Sequence, residues 1–187
     1  MAGDAAGRRL FFALWPDAPA AAALYRVAAE SREACGGRLM RPETLHLTLA
    51  YLGRVADRCL PSVLAAGAAA AGDAPTVTCD CLGFWPHNRI VWAGSRTPAA
   101  KLQAFAETLR ERLRLAGFAL DARPFFPHVT LLRDARQDPP GDELPIAWTA
   151  DELLLVESLS SAGIGPHYRP LARWRLKAAV PRPDGIE

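Results

Sequence analysis

The stretch Leu45–Gly53, LHLTLAYLG, decides how the rest of this 187-residue chain is interpreted. It is apolar enough for a buried strand, yet it contains a histidine, one intervening residue and a threonine. Because side chains alternate faces along a strand, His46 and Thr48 point to one side and the neighbouring leucines to the other. The leucines can therefore pack a core while the polar pair faces a groove.

The same pattern occurs again about 80 residues later, in Pro127–Arg133, PHVTLLR. His128 and Thr130 share one strand face, and Val129 and Leu131 share the other. A single His-x-Thr is most simply a core or surface histidine. Two copies on predicted strands, each followed by leucine and each preceded by a proline-bearing approach, indicate a common role. Two copies are too few for a solenoid.

Length and composition predict one domain with its own core, since half of the residues are hydrophobic. The net charge of +2 argues against a general nucleic-acid coat protein and leaves room for a local basic groove. No apolar stretch approaches the ~20 residues of a membrane span. The polar start MAGDAAGRR does not resemble a signal peptide, so we expect a cytoplasmic protein with no membrane segment.

The four cysteines show no CxxC spacing, and reduced thiols are expected. Cys79-Asp80-Cys81 has two interpretations, half of a metal site or a pair of buried strand cysteines. Because no complementary histidine or cysteine spacing occurs elsewhere, the second interpretation is favoured.

Hydrophobic periodicity and turn residues predict strands at 10–14, 45–53, 76–84, 89–94, 127–133, 150–158 and 171–177. Helices are expected at 18–35, at 57–71 and between Pro98 and Gly117. Strands without a helix between them, in 76–94 and 150–177, indicate antiparallel hairpins and an α+β class. Flexible tails are expected at 1–7 and 178–187, which leaves a single domain over 8–177.

Together, the two motifs resemble those of the 2H phosphoesterases, which are named for two His-x-Thr/Ser motifs. Within that superfamily the chain is similar to the bacterial and archaeal RNA 2',3'-cyclic phosphodiesterases, once called 2'-5' RNA ligases. Further landmarks of that subfamily occur in the same order at Leu10–Pro16, Arg89–Gly94 and Tyr168–Leu176. The resemblance implies a bilobal α+β fold with outer helices and two antiparallel sheets. It also implies pseudo-two-fold symmetry about a central cleft, with one motif contributed by each lobe.

Opening a cyclic phosphodiester needs a base for the attacking water and an acid for the leaving ribose oxygen. Two imidazoles suit this reaction, because a pKa near 6.5 lets one be neutral and the other charged at neutral pH. The resemblance implies that His46 is the acid and His128 the base, although the pseudo-symmetry leaves the reverse order open. Thr48 and Thr130 would bind the phosphate, and neither a metal nor another cofactor is expected.

Three further residues match positions of that family. Arg133 would stabilise the phosphate charge, Tyr51 stands at a usually aromatic position, and Trp85 could stack on a base. Arg133 and Tyr51 have the opposite strand parity from their histidines, so each must lie at a strand end or beyond a bulge to reach the groove. The alternatives are an exposed arginine, a core tyrosine and a packing tryptophan. His87 and His167 are interpreted as surface histidines, and the alternative for His87, together with Asn88, is a contact with substrate.

The resemblance therefore predicts a monomeric hydrolase that converts 2',3'-cyclic phosphate ends of RNA or nucleotides to 2'-phosphomonoesters. One alternative is the reverse reaction, 2'-5' joining of RNA. Another is a non-catalytic module that binds RNA ends or nucleotides. The intact histidines and threonines argue against the second alternative, because a binder needs phosphate contacts but no matched acid and base.

Overall fold

The structure is a computed structural model and describes residues 7–141, 144–161 and 165–178. Within these ranges the strands are β1 (Gly7–Leu14), β2 (Arg38–Leu39), β3 (Leu47–Ala56), β4 (Thr76–Cys79), β5 (Cys81–Trp85), β6 (Ile90–Gly94), β7 (His128–Arg133), β8 (Ile146–Thr149), β9 (Glu152–Ser161) and β10 (Gly165–Arg175). The helices are α1 (Ala18–Cys35), α2 (Leu60–Ala70) and α3 (Ala100–Leu115), with short 3₁₀ turns at Pro42–Thr44 and Asp57–Cys59.

The larger sheet has the strand order β10-β9-β1-β3-β7-β6-β5, with β2 beside β7, while β4 and β8 form a separate two-stranded sheet. Both sheets are antiparallel, which confirms the α+β class predicted from the sequence. The motif strands β3 and β7 are neighbours at the centre, and a single residue pair, Leu47 opposite Val129, joins them. Two lobes therefore meet where the two His-x-Thr motifs lie.

The helices pack against the apolar faces of the motif strands. Leu47, Leu49 and Leu131 are at most 1% exposed and belong to one core cluster with Leu24 of α1 and Leu109 of α3. Burying one such leucine stabilises the fold by about 1.5–3 kcal/mol. Because alternate side chains point to opposite faces, packing the leucines against the helices leaves the histidines and threonines facing away from them.

The predicted strand over 76–84 is two strands, which corrects the expected single hairpin with 89–94. Only β5 pairs with β6, whereas β4 pairs with β8. The break falls at Asp80, whose carboxylate accepts hydrogen bonds from Ser95 Oγ at 2.8 Å and from the Arg96 amide at 2.9 Å. These bonds hold Asp80 between the two ladders.

Cys79 and Cys81 are buried beside this break, which confirms the strand-cysteine interpretation. Burial raises the pKa of the Cys79 thiol to about 12, so the thiol is uncharged at neutral pH. All four cysteines are free. Across the described residues, no cluster of three or more His, Cys, Asp or Glu side chains could hold a metal ion.

Several boundaries differ from the sequence predictions. β1 begins at Gly7, which pairs with Ala56, and α2 follows a 3₁₀ turn instead of beginning at 57. The two-residue β2 was not predicted, because it is too short for a periodic signal. The four-residue β8 was not predicted either, although its buried Ile146 and Trp148 alternate with exposed residues. In the part of the chain that the structure describes, no helix is both long and apolar enough to cross a bilayer.

Candidate active site

A cleft of about 780 Å³ opens where β3 meets β7. This volume lies within the roughly 300–1,000 Å³ of typical ligand sites. Every site residue predicted from the sequence lines this one cleft, namely His46, Thr48, Tyr51, Trp85, His128, Thr130 and Arg133. The fold thus brings together two segments that are far apart in the chain.

The central pair, Leu47 opposite Val129, fixes the arrangement of the four motif side chains. This pair holds the two motifs side by side, and all four motif side chains line the same cleft.

Both imidazoles are held in the same way. Nδ1 of His46 lies 2.7 Å from the Thr44 carbonyl oxygen, and Nδ1 of His128 lies 2.8 Å from the Phe126 carbonyl oxygen. A carbonyl oxygen can only accept, so Nδ1 carries the hydrogen in each neutral ring and Nε2 is left for the cleft. Nε2 of His46 is 3.1 Å from Thr48 Oγ1, while within the described ranges no hydrogen bond engages Nε2 of His128.

Aromatic rings surround each imidazole. Phe11, Trp15 and Tyr168 place their ring centroids 5.0, 4.9 and 5.1 Å from that of His46. Trp85 and Phe126 lie 4.7 and 6.1 Å from His128. These rings cover much of each imidazole, which remains half-buried, and they leave Nε2 at the cleft.

The surroundings of each imidazole control its protonation. The pKa of His46 is lowered to about 4, chiefly by burial, with the charges of His128 and Arg133 acting in the same direction and the hydrogen bond to the Thr44 carbonyl opposing them. Burial also lowers the pKa of His128, with Arg133 acting in the same direction. Both imidazoles are therefore neutral at pH 7 in the empty cleft.

Tyr51 and Arg133 reach the cleft because a β-bulge follows each threonine. The pairing of β1 with β3 is irregular beside Leu49–Ala50, and that of β6 with β7 is irregular beside Leu131–Leu132. In both places two consecutive side chains are buried, which shifts the alternation by one residue. Tyr51 is 55% exposed, so the core-tyrosine alternative is wrong, and the half-buried Arg133 is not a surface arginine.

Trp85 is both a packing and a cleft residue. Its ring lies 5.6 Å from Trp92 and 6.0 Å from Phe126, and it also lines the cleft beside Asn88. His87 and His167 are exposed and do not line the cleft, which confirms that they are surface histidines.

Other residues of the cleft were not predicted from the sequence, among them Phe11, Tyr168, Arg9, Arg38 and Arg123. The first two lie in landmark segments and could have been found from the resemblance. No local pattern marks the arginines, because long-range pairing of β1 and β2 places Arg9 and Arg38 at the cleft and the connection between α3 and β7 places Arg123 there. No aspartate or glutamate among the described residues lines it.

Residues 14–92 match the family model of LigT like phosphoesterases. The RNA 2',3'-cyclic phosphodiesterase of Escherichia coli (strain K12) is 40% identical over 147 residues, which cover 75% of this chain and 80% of that protein. The chain belongs to the LigT-like phosphoesterases. This result confirms the family predicted from the two motifs.

Two further comparisons extend the likeness of this LigT-like phosphoesterase over both lobes. The RNA 2',3'-cyclic phosphodiesterase of Thermus thermophilus is 30% identical over 90% of each chain. A crystal structure of E. coli LigT complexed with 3'-AMP has a TM-score of 0.79 at 35% identity, over 91% of this chain and 98% of that one. The family-model match ends before β7, whereas this structural match includes both halves.

Proposed function

We propose that this LigT-like phosphoesterase is an RNA 2',3'-cyclic phosphodiesterase, which hydrolyses 2',3'-cyclic phosphate ends of RNA or nucleotides to 2'-phosphomonoesters. The observation that carries the proposal is the pair of imidazoles on adjoining strands, each with Nδ1 held by a backbone carbonyl and Nε2 left for the cleft. The names of the E. coli and T. thermophilus relatives support the reaction. The 3'-AMP complex of LigT supports a nucleotide-sized ligand.

His128 is the general base of the proposed reaction. Its Nε2 takes a proton from water, whose oxygen attacks phosphorus as the bond from phosphorus to the 3'-oxygen breaks. A neutral imidazole with an unengaged Nε2 suits this step, and the lowered pKa of His128 keeps the ring neutral at pH 7. The products are a 2'-phosphomonoester and a free 3'-hydroxyl.

His46 is the general acid that protonates the leaving 3'-oxygen through Nε2. Its pKa of about 4 in the empty cleft means that it must gain its proton as substrate binds. The anionic cyclic phosphate raises this pKa, because an opposite charge nearby stabilises imidazolium. The stacked face of Trp15, 4.9 Å away, and the Thr44 carbonyl stabilise the same charge.

The remaining charge falls on the non-bridging phosphate oxygens. Thr48, Thr130 and Arg133 line the cleft beside the two histidines, and their hydroxyls and guanidinium would donate to those oxygens without a metal. Tyr51, exposed at the cleft, and Trp85 provide aromatic faces for a base.

The activity is tested with an oligonucleotide ending in a 2',3'-cyclic phosphate, in the presence of a chelator, with the products identified by phosphorus NMR. The proposal predicts complete conversion to the 2'-phosphomonoester. A 3'-phosphate would overturn the regiochemistry, and turnover that requires added metal would overturn the metal-free mechanism. Binding without turnover from pH 5 to 9 would favour a non-catalytic module.

The order of acid and base is tested with a substrate whose bridging 3'-oxygen is replaced by sulfur. A thiolate leaves without a proton, so this substrate should restore much of the rate lost in His46→Ala and none of that lost in His128→Ala. Rescue of His128→Ala instead would reverse the two roles.

We further propose that the enzyme acts as a monomer in the cytoplasm, with residues 8–177 as its single domain. Light scattering of the full chain measures its oligomeric state. A truncated chain of residues 8–177 that unfolds like the full chain would support the single domain.

A further inference from the structure

Two arginines lie directly opposite each other at the outer end of the cleft. β2 pairs with the end of β7 in the register Arg38 opposite Arg133, and both side chains line the cleft. Opposed side chains in an antiparallel pair have Cβ atoms about 4.5–5.5 Å apart, and like charges in this position destabilise a sheet. The fold therefore sets two like charges opposite each other in the sheet.

No acidic side chain among the described residues relieves this repulsion. The cleft lining contains no carboxylate, and neither Arg38 nor Arg133 has an ion pair within the described ranges. Asp134, next to Arg133 in the chain, instead pairs with Arg89 at 2.8 Å. Two guanidinium groups thus remain available for anions from solution.

The backbone fixes the arginine pair in place. Gly37 has a φ of 84°, and a Cβ atom there would come within 2.6 Å of the Arg133 carbonyl oxygen. The Met40 amide donates to the Leu131 carbonyl at 3.0 Å, just beyond β2. Because these contacts hold β2 tightly against β7, the opposition of Arg38 and Arg133 is a built feature of the fold.

We propose that Arg38 determines substrate length by binding the phosphodiester on the 5' side of the terminal nucleotide. This inference rests on the proposed function, in which Arg133 balances the single negative charge of the cyclic phosphate. One guanidinium balances the one charge of the cyclic phosphate, so Arg38, directly opposite Arg133, can bind another anion. An RNA chain supplies that anion one nucleotide away, whereas a nucleoside 2',3'-cyclic phosphate does not.

The test compares three substrates with one terminal base: adenosine 2',3'-cyclic phosphate, its 5'-phosphorylated form, and the adenylyl dinucleotide with the same cyclic end. The wild type should have a higher kcat/KM for the second and third substrates than for the first. In Arg38→Gln this advantage should fall about tenfold, the scale of one charge-assisted hydrogen bond. The control Arg112→Gln removes an equal charge from the exposed surface of α3 and should keep the advantage.

Two further readouts separate this role from a structural one. Arg38→Gln should flatten the salt dependence of log kcat/KM for the dinucleotide by about 0.7 per decade of salt, as expected for one lost phosphate contact. Its urea midpoint should equal or exceed that of the wild type, because a like-charge opposition is removed. Lower stability would mean that Arg38 is a structural residue.

The outcomes also distinguish this inference from the proposed function. An equal loss of kcat/KM on all three substrates would place Arg38 at the reacting phosphate and overturn the inference. No loss on any substrate would overturn it as well. If the wild type turns over none of the three, the proposed function itself fails.

Discussion

Acidification should destabilise this protein through His46. Its pKa falls from 6.5 in the unfolded chain to about 4 in the folded one, because burial disfavours the charged ring. The unfolded state therefore binds more protons as the pH drops. The stability contributed by neutral His46 is fully present above pH 6.5 and is lost as the pH falls towards 4.

The size of the effect follows from the shift. One pKa unit corresponds to about 1.36 kcal/mol, so the full shift amounts to about 3 kcal/mol, of which about 2 kcal/mol is already lost at pH 5. Carboxylates also titrate in this range, so the informative quantity is a difference between proteins. His46→Gln should lose about 2 kcal/mol less than the wild type between pH 8 and pH 5.

Urea unfolding at the two pH values measures this difference. His167→Gln, at an exposed position on β10, controls for the loss of a histidine at the surface. Equal pH dependence in the wild type and His46→Gln would refute the claim that the fold holds His46 neutral. A phosphate-containing buffer should be avoided, because an anion bound in the cleft would raise the pKa of His46 and mask the effect.

Three other outcomes are expected. The pH profile of kcat/KM should peak below pH 6.5, because both imidazoles have lowered pKa values in the free enzyme. The profile of kcat should peak at higher pH, because bound substrate raises the pKa of His46. An optimum of kcat/KM above pH 7 would contradict this. Tyr51→Ala and Trp85→Ala should each weaken substrate binding, measured through KM, by about 1–3 kcal/mol, because each removes an aromatic face on which a base can stack. The control Tyr25→Ala, on α1, should leave KM unchanged. Gly67→Ala should lower the free energy of unfolding in urea by about 1–3 kcal/mol, because the new Cβ would come within 2.6 Å of Trp174. Its kcat should be normal. Unchanged stability would mean that the surrounding side chains rearrange to accept the extra methyl group.

The motif strands were predictable because their buried residues are apolar and the alternating residues that face the cleft are polar. His46 and Thr48 follow the strand parity read from the sequence, with Leu47 and Leu49 buried on the other face. Parity also indicated that Tyr51 needed a bulge to reach the groove. The irregular pairing beside Leu49–Ala50 provides that bulge.

What the sequence could not provide is long-range pairing. β2 has two residues and no pattern of its own, yet its register with β7 places Arg38 at the cleft. The break at Asp80 depends on hydrogen bonds from Ser95 and Arg96, which a local strand pattern does not reveal. The packing of Trp15 and Tyr168 around His46 likewise joins segments that are distant in the chain, although both residues lie in landmark segments of the resemblance.

The most direct test of the central claim is the rate of hydrolysis of an RNA 2',3'-cyclic phosphate by His46→Ala, His128→Ala and the double variant. If the two rings act as one acid–base pair, each single variant should lose about 10²–10⁴-fold in kcat while still folded. The double variant should then be little slower than either single one, because groups that act together are not additive. A folded single variant that keeps a rate within tenfold of the wild type would contradict the account.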